Sequence, residues 1–101
     1  MQITYKALAK VDLNDGYERF ERKASGLGRR FVLHCVHSID ELARFPRFGG
    51  RVKRGVQGRE VRILILKDFQ YLVHYEVTTK EVYILSVTDA RRRGHPWRQR
   101  L

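Results

Sequence analysis

The residues of this chain best suited to chemistry are its arginines and the few acid–base groups near them. Arg62 opens one β-rich run, and Arg91, Arg92 and Arg93 follow another. Arg98 and Arg100 stand close to Trp97, the single tryptophan, and Lys53 and Arg54 lie in a glycine-rich stretch. A guanidinium grips phosphate or carboxylate through parallel N–H donors, so this set can bind nucleic acid or an acidic protein surface. Cutting RNA requires more. A base must take the ribose 2′-hydroxyl proton, a cation must hold the phosphate, and an acid must protonate the leaving 5′-oxygen. Arg62 and Arg91 suit the phosphate. Glu76, Asp89, His95 and Lys53 are the proton-transfer candidates, joined by Tyr71, Tyr75 and Tyr83 only where these face a cleft. The competing reading of the same arginines is a solvated face that keeps a small protein soluble.

Other reactive side chains point to structure rather than chemistry. His34 and His37 are spaced i, i+3, but no cysteine or carboxylate cluster accompanies them at ligand spacing, and no metal is expected. His74 belongs to the more polar face of a strand, and His95 precedes Pro96 as a loop residue. Cys35 falls on an apolar stripe and reads as a small core residue. Trp97 has three settings open to it: stacked on a base, anchoring a partner, or folded back against the helices. No triad spacing or phosphate-binding glycine motif is present, and no cofactor is expected.

The elements that must position these groups centre on Val61–Val87. Val61–Leu66, Tyr71–Val77 and Val82–Val87 are β-rich runs, the last two separated only by Thr78, Thr79 and Lys80. They predict an antiparallel meander. Tyr71, Val73, Tyr75 and Val77 alternate with Leu72, His74 and Glu76, so one face is the more apolar and needs a cover. Because the outer strands of a three-strand meander run the same way, Arg62 and Arg91–Arg93 are expected at opposite ends. Ile3–Tyr5 reads as a further short strand. A helix is predicted from Ala9 to about Ala24, with Leu13, Tyr17, Phe20 and Ala24 as its apolar stripe and Gly16 as a weak point. Gly26 ends it. A second helix runs from Leu27 to about Arg44, with Leu27, Phe31, Cys35, Ile39 and Leu42 in register, and Pro46 stops it. The sum is an α+β chain of order β-α-α-β-β-β, a single domain over residues 1–101, with a helical hairpin on a mainly antiparallel sheet.

Composition narrows the function classes. The chain has 101 residues, 21 Lys+Arg against 11 Asp+Glu, and a net charge of +10. That balance favours a polyanionic partner. It is also lopsided: residues 1–43 hold seven basic and six acidic residues, whereas residues 44–101 hold fourteen and five. The sheet half therefore carries the field, which favours the binding reading of the arginines. Arg47–Glu60, with four glycines and five basic residues, reads as a mobile basic loop. One cysteine excludes an internal disulfide and suits a reducing compartment. The opening MQITYKALAK has no long apolar run, and no stretch reaches membrane-span length. A soluble, cytoplasmic protein without a membrane role is expected.

Several motifs, taken in order, carry a resemblance. They are Ala9-x-x-Asp12-Leu13, Gly26-Leu27-Gly28-Arg29-Arg30-Phe31, Phe45-Pro46, Arg62, Phe69 through Glu76, Ile84-Leu85-Ser86-Val87, Arg91-Arg92, and Trp97 with Arg98 and Arg100. This pattern resembles the RelE/ParE superfamily of toxins from type II toxin–antitoxin systems, on the side of ParE-like plasmid stabilisation proteins. It departs in two places: Gln70 stands where the family has proline, and Asp89 where it often has histidine. The resemblance implies a basic toxin neutralised by a cognate acidic antitoxin. ParE-like relatives block DNA gyrase, whereas RelE-like relatives cleave messenger RNA on the ribosome. The favoured reading is gyrase inhibition, with Lys53, Arg54, Arg62, Arg91, Arg92, Arg93, Trp97 and Arg98 as target- or nucleic-acid-binding residues. The alternative is a ribosome-dependent endoribonuclease using Arg62, Arg91, His95 and Glu76, and a third reading is a basic nucleic-acid-binding module without toxicity.

Overall fold

The computed structural model describes residues 1–101. Its elements are β1 (Gln2–Tyr5), α1 (Ala7–Lys23), α2 (Leu27–Asp40) continued by a 3-10 turn (Glu41–Ala43), β2 (Gly50–Arg51), β3 (Glu60–Leu66), β4 (Tyr71–Val77), β5 (Glu81–Asp89) and a last 3-10 turn (Arg98–Arg100). The strands form one sheet of order β1-β5-β4-β3-β2. All neighbours are antiparallel except β1 with β5, which are parallel. The expected helical hairpin on a mainly antiparallel sheet is what forms. Two features go beyond the expectation: the two-residue strand β2, and a register shift between His74 and Tyr75 that leaves Leu85 without a partner on β4.

The hairpin closes tightly because glycines sit where the helices touch. A Cβ on Gly16 would lie 2.4 Å from Phe31 Cε2, and one on Gly28 would lie 2.5 Å from the Tyr17 carbonyl oxygen. This corrects half of the predicted stripe of α1. Phe20 is buried and Leu13 packs half-buried against the core as expected, whereas Tyr17 and Ala24 are exposed and the other buried residues are Ala9 and Gly16. The contact with α2 runs through a glycine rather than through Tyr17. The stripe of α2 is as expected: Phe31, Cys35, Ile39 and Leu42 are all buried. Glu21 reaches from α1 to accept the N–H groups of Gly26 and Gly28 at 2.9 and 3.0 Å. It thereby satisfies donors that the start of α2 leaves without intrahelical partners. Gly26, at φ 85, takes the left-handed turn between the helices.

Beneath the hairpin, the Phe31 ring packs against Phe20, Tyr71 and Phe69 at centroid separations of 4.9, 4.8 and 5.4 Å. Gln70 sits between Phe69 and Tyr71 at φ 55. Proline, fixed near φ −65°, cannot occupy that turn, which accounts for its absence at this position. Burial pushes the Cys35 thiol up to about 12, consistent with an unreactive core residue.

Gly28→Ala is expected to destabilise the fold by about 1–3 kcal/mol, since backbone lies where the methyl would go. Gly50→Ala, which meets open space, is expected within about 0.5 kcal/mol of the parent. Urea midpoints at constant m-value compare the two. Equal effects would show that the hairpin does not depend on the close approach at Gly28.

Candidate functional site

The sheet face opposite the helices is covered rather than open. Val61, Leu85 and Trp97 form a small second core there, with Val52, Val56, Tyr83 and Leu101 packed against it. The chain before β3 and the chain after β5 thus meet on one surface. Trp97 is 8% exposed. Its ring folds back, but onto the far face of the sheet and not against the helices. Glu76 and His74, expected on a polar face, are buried by the same closure. Glu76 pairs with Arg59 through two contacts. The basic loop is likewise pinned: Val52 donates its N–H to the Val61 carbonyl at 3.1 Å.

A cationic rim sits on this second core. The Arg98 guanidinium lies 4.7 Å from the centroid of the Trp97 ring and donates to the Arg54 carbonyl, so the tail and the loop are tied together. Lys53, Arg54, Arg92 and Arg93 are exposed and belong to no ion pair. Arg62 stands apart. It pairs with Glu60 at 2.7 Å and donates to the Gly49 carbonyl at 2.7 Å, with a side chain only 15% exposed. It shares the helix-side face with Leu64. Arg62 is opposite Tyr75 and Asp89 is opposite Tyr71, so the two lie roughly 13 Å apart along the sheet at about 3.3 Å per residue.

The second arginine group lines a polar cleft of about 540 Å³ beside Asp12, Asp15, Tyr71, Thr88 and Asp89. Arg91 grips Asp89 with two guanidinium donors at 3.0 and 2.8 Å, and Arg19 donates to the same carboxylate at 2.8 Å. Arg91, then the Arg91 backbone and Arg19, hold the Asp89 carboxyl far below the usual carboxylate range. It is an ion-pair partner with little appetite for a proton. Burial raises the Tyr71 and Tyr75 phenols, so neither is a ready base. His95 faces Thr88 with its Nδ1 at 2.6 Å from the Thr88 hydroxyl, and burial followed by Arg92 lowers it. Arg62, Glu76, Arg91 and His95 therefore do not converge on one point.

A second surface escaped the sequence reading. An apolar groove of about 500 Å³ opens between the end of α2 and the β3 edge, lined by Leu42, Phe45, Phe48, Leu64, Ile65 and Leu66 among others. Phe45, Phe48 and Ile65 are 54%, 75% and 61% exposed. The available signal was the pair Phe45 and Phe48, two large aromatics between a helix stop and a glycine-rich loop.

No protein-family model matches the chain, and no curated protein matches it in sequence. Among solved structures, it is similar to a chain of the chromosomal ParDE TA system from P. aeruginosa, with a TM-score of 0.77 and 22% identity over 90% of this chain and 97% of that one. At that identity the likeness is one of fold. No helix is long and apolar enough to cross a membrane.

The tail closure buries a titratable side chain. The His74 ring lies 5.2 Å from that of His95 and 6.2 Å from that of Trp97, nearly parallel to the latter. Its Nδ1 is buried without a partner. Burial, then His95, lowers His74 from 6.5 to about 4. The nearby carboxylates offer no compensation, because Glu76 is taken by Arg59 and Asp89 by Arg19 and Arg91. Packing the neutral ring thus stabilises closure fully above about pH 6.5, and that contribution is lost as pH falls toward about 4. Since Trp97 is the single tryptophan, its emission reports the event directly. A red shift is expected between pH 6.5 and 4, and in His74→Phe it is expected to weaken or disappear. An unchanged emission down to pH 4, or the same transition in His74→Phe, would rule out His74 as its cause.

Proposed function

We propose that the chain is the toxin of a type II toxin–antitoxin pair, ParE-like, acting in the cytoplasm by binding DNA gyrase and held in check by a cognate antitoxin. The observation that carries this reading is the state of its ionisable groups. Of the proton-transfer candidates, Glu76, Asp89 and His95 are engaged and Tyr71 and Tyr75 are buried, while Lys53, with Arg54, Arg92 and Arg93, is exposed and unpaired. A surface of free guanidinium and ammonium groups without a poised base binds an anionic or acidic target but does not cut it. The fold likeness to a chain of a ParDE TA system supports the same class. The order of motifs along the sequence, from Gly26–Phe31 to Trp97 and Arg98, supports the ParE-like side.

The ribonuclease alternative has one feature in its favour, the cleft in which Tyr71 lies beside Arg19, Arg91 and Arg92. Adding the purified protein separately to a gyrase supercoiling reaction and to translating ribosomes decides between the two. Inhibited supercoiling with intact messenger is expected. Charge reversal of Lys53, Arg54, Arg92 and Arg93 together is expected to weaken inhibition by at least about tenfold, because these groups steer and orient the encounter, with little change in Tm. Codon-phased messenger cuts with supercoiling untouched would overturn the proposal in favour of the nuclease. Growth unaffected by induced expression would favour a non-toxic nucleic-acid-binding module.

A further inference from the structure

The helical hairpin ends in a cluster of cations that no carboxylate of the fold engages. Residues 22–30 read Arg-Lys-Ala-Ser-Gly-Leu-Gly-Arg-Arg. They hold four of the seven basic residues of the helical half and none of its six acids, so a nearly neutral half conceals a charged tip. Arg22 and Lys23 are the last two residues of α1, and Arg29 and Arg30 lie in the first turn of α2. All four are exposed, as are Ala24, Ser25 and Gly26 between them, and none belongs to an ion pair. Lys23 makes only an exposed contact with the Phe20 ring, at 5.3 Å. Three carboxylates lie near. Glu18, one turn before Arg22, belongs to no ion pair. Glu21 is engaged by the N–H groups of Gly26 and Gly28. Asp68 shares a shallow cleft with Arg30 but makes no salt bridge.

This placement is unfavourable within the chain. Cations in the first turn of a helix face the positive end of its dipole, and α2 has no acid of its own in that turn. Arg22 and Lys23, at the end of α1, sit where the dipole favours them. Arg29 and Arg30 oppose both the dipole and these two neighbours, and no ion pair offsets that. A local rule broken without an internal partner points to a partner outside.

The chemistry of the tip selects among polyanions. Three of the four cations are guanidinium groups, which fork onto phosphate oxygens. The turn between them presents only Ala24, Ser25 and Gly26, with Leu27 packed on the core. It has no apolar anchor of the kind a protein partner or a stable bilayer contact needs. It has no ring on which an unpaired base could stack. Contact with a phosphate backbone needs neither, because its affinity is electrostatic.

We propose that the hairpin tip binds the phosphate backbone of duplex DNA through Arg22, Lys23, Arg29 and Arg30, a set distinct from Lys53, Arg54, Arg92 and Arg93. That the duplex is DNA rests on the gyrase reading; the affinity of the tip for a phosphate backbone does not.

The probe is a short fluorescein-labelled DNA duplex of mixed sequence, titrated with the full chain over a range of salt. Two variants are compared, each with four glutamines: one at Arg22, Lys23, Arg29 and Arg30, the other at Lys53, Arg54, Arg92 and Arg93. Both lower the net charge of +10 by four, so general attraction falls equally. The tip variant is expected to bind about tenfold or more weakly, with a salt slope shallower by about 3, since each phosphate contact contributes about 0.9. The other variant is expected to lose less. Arg29→Gln with Arg30→Gln is expected to weaken binding while the Tm holds or rises, because the conflict with the dipole is relieved. Equal losses in the two fourfold variants would mean that net charge alone matters, and would overturn the assignment. So would a loss confined to the loop-and-tail variant, or a lower Tm in the double variant, which would make its arginines structural. Tip-dependent binding to duplex RNA or to phosphatidylserine vesicles, with none to DNA, would likewise overturn it. Gyrase supercoiling is scored separately: uninhibited supercoiling alongside tip-dependent duplex binding removes the gyrase reading and leaves this site standing.

Discussion

The pair Asp12–Arg100 ties α1 to the last turn across β5. Asp12 lies in α1, Arg100 in the last turn, and both reach the stretch of β5 that β1 does not cover. The ion pair is 2.6 Å long with side chains only 12–13% exposed. Its members also satisfy one acceptor and one donor of the β5 backbone, so both charges make hydrogen bonds beyond the pair itself. Removing one partner from such a pair costs about 3–5 kcal/mol, because the other charge and a backbone group are left without partners. Without it the tail loses this tie to α1 and is held by the Trp97 packing, the Arg98–Arg54 bond and the His95–Thr88 contact.

That tail decides what the sheet can do. With Trp97 and Leu101 in place, the far face of β4 and β5 is interior, and His74, Glu76, Ser86 and Thr88 lie beneath it. The arginines divide accordingly. Arg19, Arg47, Arg59, Arg62, Arg91 and Arg100 are engaged with carboxylates. Lys53, Arg54, Arg92 and Arg93, which belong to no ion pair, are carried on a braced loop and tail, so their positions are set by packing. A basic surface of this kind discriminates by geometry as well as by charge.

How much of this was legible in the sequence follows from where the signals reside. β-branched runs and the α2 stripe are local, so β3, β4, β5 and the burial of Phe31, Cys35, Ile39 and Leu42 could be read directly. The predicted separation of Arg62 from Arg91–Arg93 also follows from strand direction alone. The α1 stripe could be read only in part: Leu13 and Phe20 pack on the core, but the contact with α2 runs through Gly16, which carries no hydrophobic signal. The second core was hidden for a related reason. It joins Val52, Val61, Leu85, Trp97 and Leu101, residues scattered over the chain and surrounded by arginines and glycines. Polar alternation in β4 suggested a wet face, but long-range closure by the tail made it dry. The Phe45–Phe48 groove is likewise a product of two elements meeting, the end of α2 and an edge that β2 leaves unfinished.

The charge asymmetry acquires a structural consequence once the internal pairs are set aside. A chain of net +10 at this length pays for its compactness in self-repulsion. Six ion pairs relieve part of it locally, but pairs of this kind leave the net charge unchanged. Relief of the whole requires external negative charge, from salt or from an anionic partner. A partner that binds the folded chain alone stabilises it by mass action in addition. The same excess of cations therefore favours association and weakens the free monomer, so stability and partner binding are coupled through charge without any change of fold. The uncovered stretch of β5 shows the local kind of relief, closed by the chain's own Asp12 and Arg100.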